Sequence, residues 1–204
     1  MKVKSCAAIS FALAFFVLQA NPGHAVMPTM KVQIMLKEIR AVQTDPGLQG
    51  QGSRNQRMLA IKKIFVKSFD YGVMARESLG PYWSMLNRNE QSEFRKVFQN
   101  VFEQSYAQMV LSFLNQQEVL FKAEELNNNR ASVKTVLVQV NHQIPVDYVL
   151  MHVKGQWLIC DISVDGVSMI GNYHKSFTQV IRQESYEALV KKLRMQQKAM
   201  ENTF

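Results

Sequence analysis

Beyond its first 25 residues the chain holds three histidines, His142, His152 and His174, and one cysteine, Cys160. These are the side chains best suited to hold a metal or attack a carbonyl. None of the histidines pairs with another His, a Cys or a carboxylate at a ligand spacing such as HExxH or CxxC, so no metal site is expected. A lone histidine is a packing or surface residue by default, and His142 falls in a predicted turn. Neither GxSxG nor a glycine-rich phosphate loop is present. Cys160 lies in mid-strand, with no basic neighbour or helix start to lower its pKa, and reads as a buried, inert thiol. Asp147 and Asp161 fall on adjacent predicted strands and could form an acid/base pair. Pairing with a cation such as Arg76 or Arg182 is the favoured alternative, because no third polar group points at a reaction. The residues therefore lead to a non-enzymatic protein with no catalytic side chains, no metal and no cofactor.

What exceeds ordinary need is apolar. Phe69, Tyr71, Trp83, Phe94, Phe98, Phe102, Tyr106, Phe113, Phe121, Tyr148, Trp157, Tyr173 and Phe177 stand in a chain with 12 methionines. Such side chains pack cores and also wall apolar cavities, and composition alone does not separate the two.

The elements that must position them follow from periodicity. Val32, Met35, Leu36, Ile39 and Val42 mark one face of a helix over 28–42 that stops at Asp45-Pro46-Gly47. Ser53 with Gln56 signals a capped second helix with Met58, Ile61, Ile64 and Phe65 inward. Asp70 caps a short helix ended by Gly80-Pro81. Asn87 with Glu90 opens the longest, about 88–114, whose Phe94, Val97, Phe98, Val101, Phe102, Met109 and Val110 form a wide apolar stripe.

Four extended runs follow, 119–126, 131–140, 144–153 and 156–164, separated by Asn127-Asn128-Asn129, Asn141-His142 and Lys154-Gly155. Connections this short join antiparallel neighbours. After Asp165-Gly166 the helical period returns with Val167, Ile170, Phe177 and Ile181, and a last helix carries Leu189, Val190 and Leu193. Helices, then a four-stranded sheet, then helices is an α+β order.

Two early lysines, Lys2 and Lys4, precede a short apolar run that ends in Asn21-Pro22-Gly23-His24-Ala25. This is the pattern of a cleavable signal peptide over 1–25, with cleavage after Ala25 and a single domain over 26–204. That domain divides into a helical part, about 28–115, and a sheet with C-terminal helices, about 117–198. Cys6 would leave with the leader, so no internal disulfide is available. Without Lys2 and Lys4 the charge is 22 Lys and Arg against 16 Asp and Glu, or +6. Spread over several helices with acids between, it reads as a solvated surface tolerant of anionic headgroups, not a nucleic-acid face.

In the stretch Phe69-Asp70-Tyr71-Gly72-Val73-Met74-Ala75-Arg76-Glu77-Ser78-Leu79-Gly80-Pro81-Tyr82-Trp83 the chain resembles the MlaC family, the toluene-tolerance auxiliary proteins of ABC transporters that carry phospholipid in the periplasm. Ile144-Pro145-Val146-Asp147-Tyr148, the residues from Trp157 to Asp161, and Asp165-Gly166-Val167-Ser168-Met169-Ile170 with Asn172-Tyr173 and Phe177 are similar to later signatures in the same order. The likeness spans roughly 31–193. It departs at His174, where the family usually has Arg, and at Ser185, where Gly is common, which leaves any headgroup contact at that arginine position in doubt.

The resemblance implies a twisted antiparallel sheet of the nuclear-transport-factor type wrapped by six to seven helices around an apolar cavity. It also implies a periplasmic, phospholipid-binding carrier that maintains outer-membrane asymmetry. Its partners would be an inner-membrane ABC transporter complex with its lipid-binding ring and an outer-membrane lipoprotein complex. Phospholipid, or a related lipid such as a hopanoid, would be cargo. The residues expected to line the cavity are Met74, Phe98, Phe102, Tyr106, Met109, Tyr148, Leu150, Trp157, Ile159, Val167, Ile170 and Phe177, with Tyr71 and Tyr173 at its mouth. The alternatives are an enzyme of the same cone shape, using Asp147 and Asp161, and a protein adaptor with an exposed apolar patch.

Overall fold

The computed structural model describes residues 27–113, 117–139 and 142–201. The expected leader with its cleavage site, the Leu114 end of the long helix and the Val140 end of the second strand lie outside them.

Two helices, α1 (Pro28–Thr44) and α2 (Arg54–Ser68), form a hairpin. Met35 and Ile39 of α1 and Ile61 and Phe65 of α2 are buried, as their spacing requires. The expected cap at Ser53 does not form. Ser53 already has helical backbone angles at the end of a 3-10 turn that runs straight into α2, so its hydroxyl is not placed to accept from the first helical amides.

The short helix α3 (Tyr71–Leu79) does start on an Asp70 cap, whose carboxylate accepts from the Val73 amide at 3.0 Å. It stops at Gly80, with φ +55°. A Cβ there would stand 2.4 Å from Cε1 of His174, so close packing as well as backbone conformation calls for glycine. The capping box of α4 (Arg88–Phe113) closes in both directions. Asn87 Oδ1 accepts from the amides of Asn89 and Glu90, and Glu90 Oε2 accepts from the amide of Asn87 at 2.8 Å.

The sheet is an antiparallel meander of β1 (Glu118–Asn127), β2 (Arg130–Val138), β3 (Gln143–Val153) and β4 (Gln156–Val164), with a two-residue fifth strand β5 (Val167–Ser168) at its edge. The fifth strand exists because Asp165 and Gly166, at φ +51° and +75°, form a tight hairpin turn that pairs Val167 with Val164. That return corrects the expected role of Val167. It is a strand residue on the turn's outer side, 63% exposed, and not part of an inward helical face. Helices α5 (Met169–Gln183) and α6 (Tyr186–Glu201) follow.

Register sets one face of the sheet inward. Leu137 opposes Ile144, Thr135 opposes Val146, Val133 opposes Tyr148, and Tyr148 opposes Ile162 across the next ladder. The helices cover that face, making an α+β layer structure with one core cluster. Among the described residues no helix is long and apolar enough to cross a membrane.

Candidate functional site

The inward face is filled unevenly. Toward α3, α5 and α6, a column of rings on α4 at every fourth position, Phe94, Phe98 and Phe102, interlocks with Tyr173 and Phe177 of α5 and with Phe69 and Tyr71. The last ring of the column, Tyr106, stacks on Phe102 with centroids 4.3 Å apart. Beyond it the column of rings ends.

Here a cavity of about 270 Å³ opens between helices and sheet. This is just under the volume of about 300–1,000 Å³ usual for small-molecule sites. Its helical wall is Met35, Leu36 and Ile39 of α1, Phe65 of α2, Phe69 just after it, and Tyr106, Met109 and Val110 of α4. Its sheet wall is Val119 of β1, Thr135 and Leu137 of β2 with Gln139 beyond, Ile144, Val146 and Tyr148 of β3, and Ile162 and Val164 of β4.

Exposure grades along it. Val119, Ile144 and Gln139 are half-buried and Met109 is exposed at one end, whereas Phe65, Phe69, Tyr106 and Tyr148 are buried at the other. The first set is the mouth and the second the floor. Ile144 and Tyr148 are four positions apart on β3, so the wall between them spans about 13 Å.

The walls offer few polar groups. The Thr135 hydroxyl is already spent, donating to the Val146 carbonyl at 2.6 Å. At the floor, the Tyr106 hydroxyl is buried with no hydrogen-bond partner. Burial, reinforced by the neighbouring Tyr173, Asp161 and Tyr148, holds its pKa far above the ordinary tyrosine value. Burial raises Tyr148 as well. Among the described residues no Lys or Arg lines the space. A lining of this makeup is suited to apolar groups held by contact.

Three of the residues read as cavity lining from the sequence, Tyr106, Met109 and Tyr148, border this space. Met74, Phe98, Phe102, Leu150, Trp157, Ile159, Ile170 and Phe177 are buried in the packed cluster instead. Tyr173 is half-buried against Phe98 and Phe177. Tyr71, expected at a mouth, is buried beside Phe69 and edge-on to Phe102, where burial and, after it, Glu103 raise its pKa. Val167 faces solvent.

Among the wall residues that periodicity missed, Val119, Leu137, Ile144, Val146, Ile162 and Val164 alternate as an ordinary strand core would. Their types carry no distinguishing signal, since Val133, Leu150 and Ile159 fill the packed part of the same sheet with similar side chains.

The candidate catalytic groups have structural uses. Asp161 accepts from the Ser168 hydroxyl at 2.6 Å and from the Ile170 amide at 3.1 Å, tying β4 to the start of α5. The expected partners Arg76 and Arg182 are not among its contacts. Asp147 stands opposite Lys134 in the β2–β3 ladder. Cys160 is fully buried, its thiol pushed up to about 12 chiefly by that burial and next by Glu77. His174 packs on Gly80, with Nδ1 3.3 Å from the Ser78 carbonyl, outside the cavity. Among the described residues no group of three His, Cys, Asp or Glu is placed to hold a metal ion.

The family model described as MlaC protein matches residues 33–195. A curated relative, the intermembrane phospholipid transport system binding protein MlaC of Haemophilus influenzae, is 28% identical over 129 residues, which are 59% of this chain and 58% of the relative. The chain is thus aligned with somewhat over half of that relative's length. Among solved structures, the phospholipid-binding protein from Ralstonia solanacearum in complex with a phospholipid superposes with a TM-score of 0.72 at 19% identity, over 84% of this chain and 97% of the other. At that identity the likeness establishes the shared fold.

Proposed function

The chain belongs to the MlaC family, and from that premise we propose that it is a phospholipid carrier whose cargo sits in the cavity between the sheet and helices α1, α2 and α4. The observation that carries the proposal is the cavity itself, a deep apolar space with one open end, in the half of the core where aromatic packing stops. A diacyl lipid exposes about 30 methylenes, each costing about 0.8 kcal/mol in water, so it leaves a bilayer very slowly unaided. A carrier must enclose the chains and must not hold them much more tightly than a membrane does, because the difference between donor, carrier and acceptor sets the direction of transfer. Walls of Val, Leu, Ile, Met and Phe meet both demands, and the headgroup stays at the mouth beside Met109, Gln139 and Ile144.

On this reading the protein works in the periplasm after loss of its leader and catalyses no reaction. It exchanges lipid with an inner-membrane ABC transporter complex and its lipid-binding ring on one side, and with an outer-membrane lipoprotein complex on the other. Phospholipid is cargo and not a cofactor. Native mass spectrometry of the protein purified from the periplasm without detergent, followed by solvent extraction, tests this. Phospholipid at near-stoichiometric occupancy is the expected result. A hopanoid or other lipid would replace the cargo assignment, and a lipid-free protein that also takes up nothing from vesicles would end the carrier reading.

A further inference from the structure

The positive charge is not spread over the molecule as its sequence suggested. Residues 28–68 hold eight Lys and Arg against two Asp and Glu, whereas residues 69–204 hold fourteen of each. The net charge beyond the leader therefore sits entirely on α1, α2 and their link, and α2 alone carries five cations and no acid. Among the described residues one of the eight is ion-paired, Lys67 with Glu38 at 2.6 Å. Lys31 reaches from α1 to the Lys67 carbonyl at 2.8 Å. These two contacts join the outer edges of α1 and α2 into one continuous face.

The same face is apolar between its cations. Met30 and Ile34 on α1 are 48% and 44% exposed, and Leu59 and Val66 on α2 are 59% and 55% exposed. Helical spacing sets Lys37 next to Ile34, and Lys63 between Leu59 and Val66. Apolar side chains standing among unpaired lysines are the makeup of a helix that lies in the bilayer interface. The apolar groups enter the acyl boundary while lysines reach anionic headgroups. The inner sides of these two helices contribute Met35, Leu36, Ile39 and Phe65 to the cavity.

We propose that the outer face of the α1–α2 hairpin docks on an anionic bilayer surface, holding the cavity wall against the membrane. The docking goes beyond the carrier reading and does not depend on which lipid the cavity holds. Charge complementarity names the occupant, because a membrane rich in anionic headgroups satisfies the cations and the apolar side chains together, whereas an acidic protein face satisfies the cations alone.

Flotation of the purified, processed protein with phosphatidylcholine vesicles, with and without phosphatidylglycerol, tests it. Binding is expected to require phosphatidylglycerol and to fall as salt rises from about 0.1 M to about 0.5 M, since the face is exposed to screening. The Lys37→Gln/Lys63→Gln pair is expected to weaken it on the order of twentyfold. Leu59→Ser weakens it at unchanged charge. The control pair Lys175→Gln/Arg182→Gln on α5 leaves it intact. Lipid occupancy by mass spectrometry stays at the wild-type level in Lys37→Gln/Lys63→Gln, which separates the docking face from the cavity. Equal binding to both vesicle types, or an equal loss from the α5 pair, would overturn the proposal. So would binding to neither vesicle, which would make an acidic protein the partner of this face.

Discussion

Helix α4 runs through two regions built from the same kinds of side chain. Along its first turns Phe94 and Phe98 meet Phe177 and Tyr173 of α5, with ring centroids 5.4 to 6.4 Å apart. Along its last turns Tyr106, Met109 and Val110 face the sheet with no helix between, and about 270 Å³ stays open. What differs is the opposite wall. In the packed region it is another helix bearing rings. In the open region it is a mostly aliphatic sheet surface, Leu137, Ile144, Val146, Ile162 and Val164, with Thr135 and Tyr148 among them. A binding space in this fold is thus made by what is withheld from the facing surface, and the inward residues of α4 carry no mark of it.

If the regions differ as described, the same substitution should cost unequal amounts in each. Ile159→Ala, at a fully buried position of β4, is expected to lose about 3 kcal/mol of stability in urea unfolding, within the range for deleting a packed aliphatic side chain. Ile144→Ala, at the cavity mouth, should lose about 1 kcal/mol, because part of its surface already lacks protein neighbours. Equal losses would erase the distinction.

Titration in alkali probes both regions together. Tyr71 in the packed region and Tyr106 and Tyr148 at the cavity floor all have raised pKa values, with burial the largest cause. The folded state thus keeps a proton that the unfolded chain releases near pH 10. Their contribution to stability is whole below that pH and declines above it, by about 1.4 kcal/mol per pH unit for each group. Unfolding midpoints measured from pH 9 upward should fall in that manner. A flat profile would mean that the phenols are solvated.

Cys160 sharpens the same contrast at a single atom. With its thiol pushed up to about 12, it should resist alkylation at pH 8 in the folded protein and react at once in denaturant. Rapid native labelling would show that space reaches β4 from the packed side.

The smallest expected change is at Tyr106. Its hydroxyl is buried without a partner, so Tyr106→Phe removes an unsatisfied group while keeping the ring stacked on Phe102. Stability of the lipid-free protein is expected to hold or rise by about 1 kcal/mol. A loss would reveal a hydrogen bond to that phenol.

Most of the architecture was legible in the sequence. Period 3.6 located the helices and Asn-rich and Gly turns separated the strands, because burial and turn stereochemistry act on local residue choice. Asn87 with Glu90 formed the cap that their spacing predicts, whereas Ser53 with Gln56 did not, since the preceding 3-10 turn had already committed the backbone of Ser53. The family resemblance carried the fold, including the twisted sheet under helices.

The wall of the cavity was far less legible. Phe98, Phe102 and Phe177 point inward, as lining residues would, but into one another. Whether an inward residue meets a ring or a void depends on pairing between distant elements, such as α4 with α5 or with β3, which no local pattern encodes. Val167 failed for a different reason. Its position directly after a turn fits the start of a helix and a hairpin return equally well, and the positive φ angles of Asp165 and Gly166 decide for the hairpin.

The central claim, that lipid occupies the open region and not the packed one, is most directly tested by comparing lipid occupancy in two variants by native mass spectrometry. Val146→Trp places an indole into the cavity, and Val167→Arg alters an exposed turn outside it. The account predicts that Val146→Trp, folded by circular dichroism, loses its lipid while Val167→Arg keeps the wild-type amount. Full occupancy in Val146→Trp, or loss in a folded Val167→Arg, would contradict it.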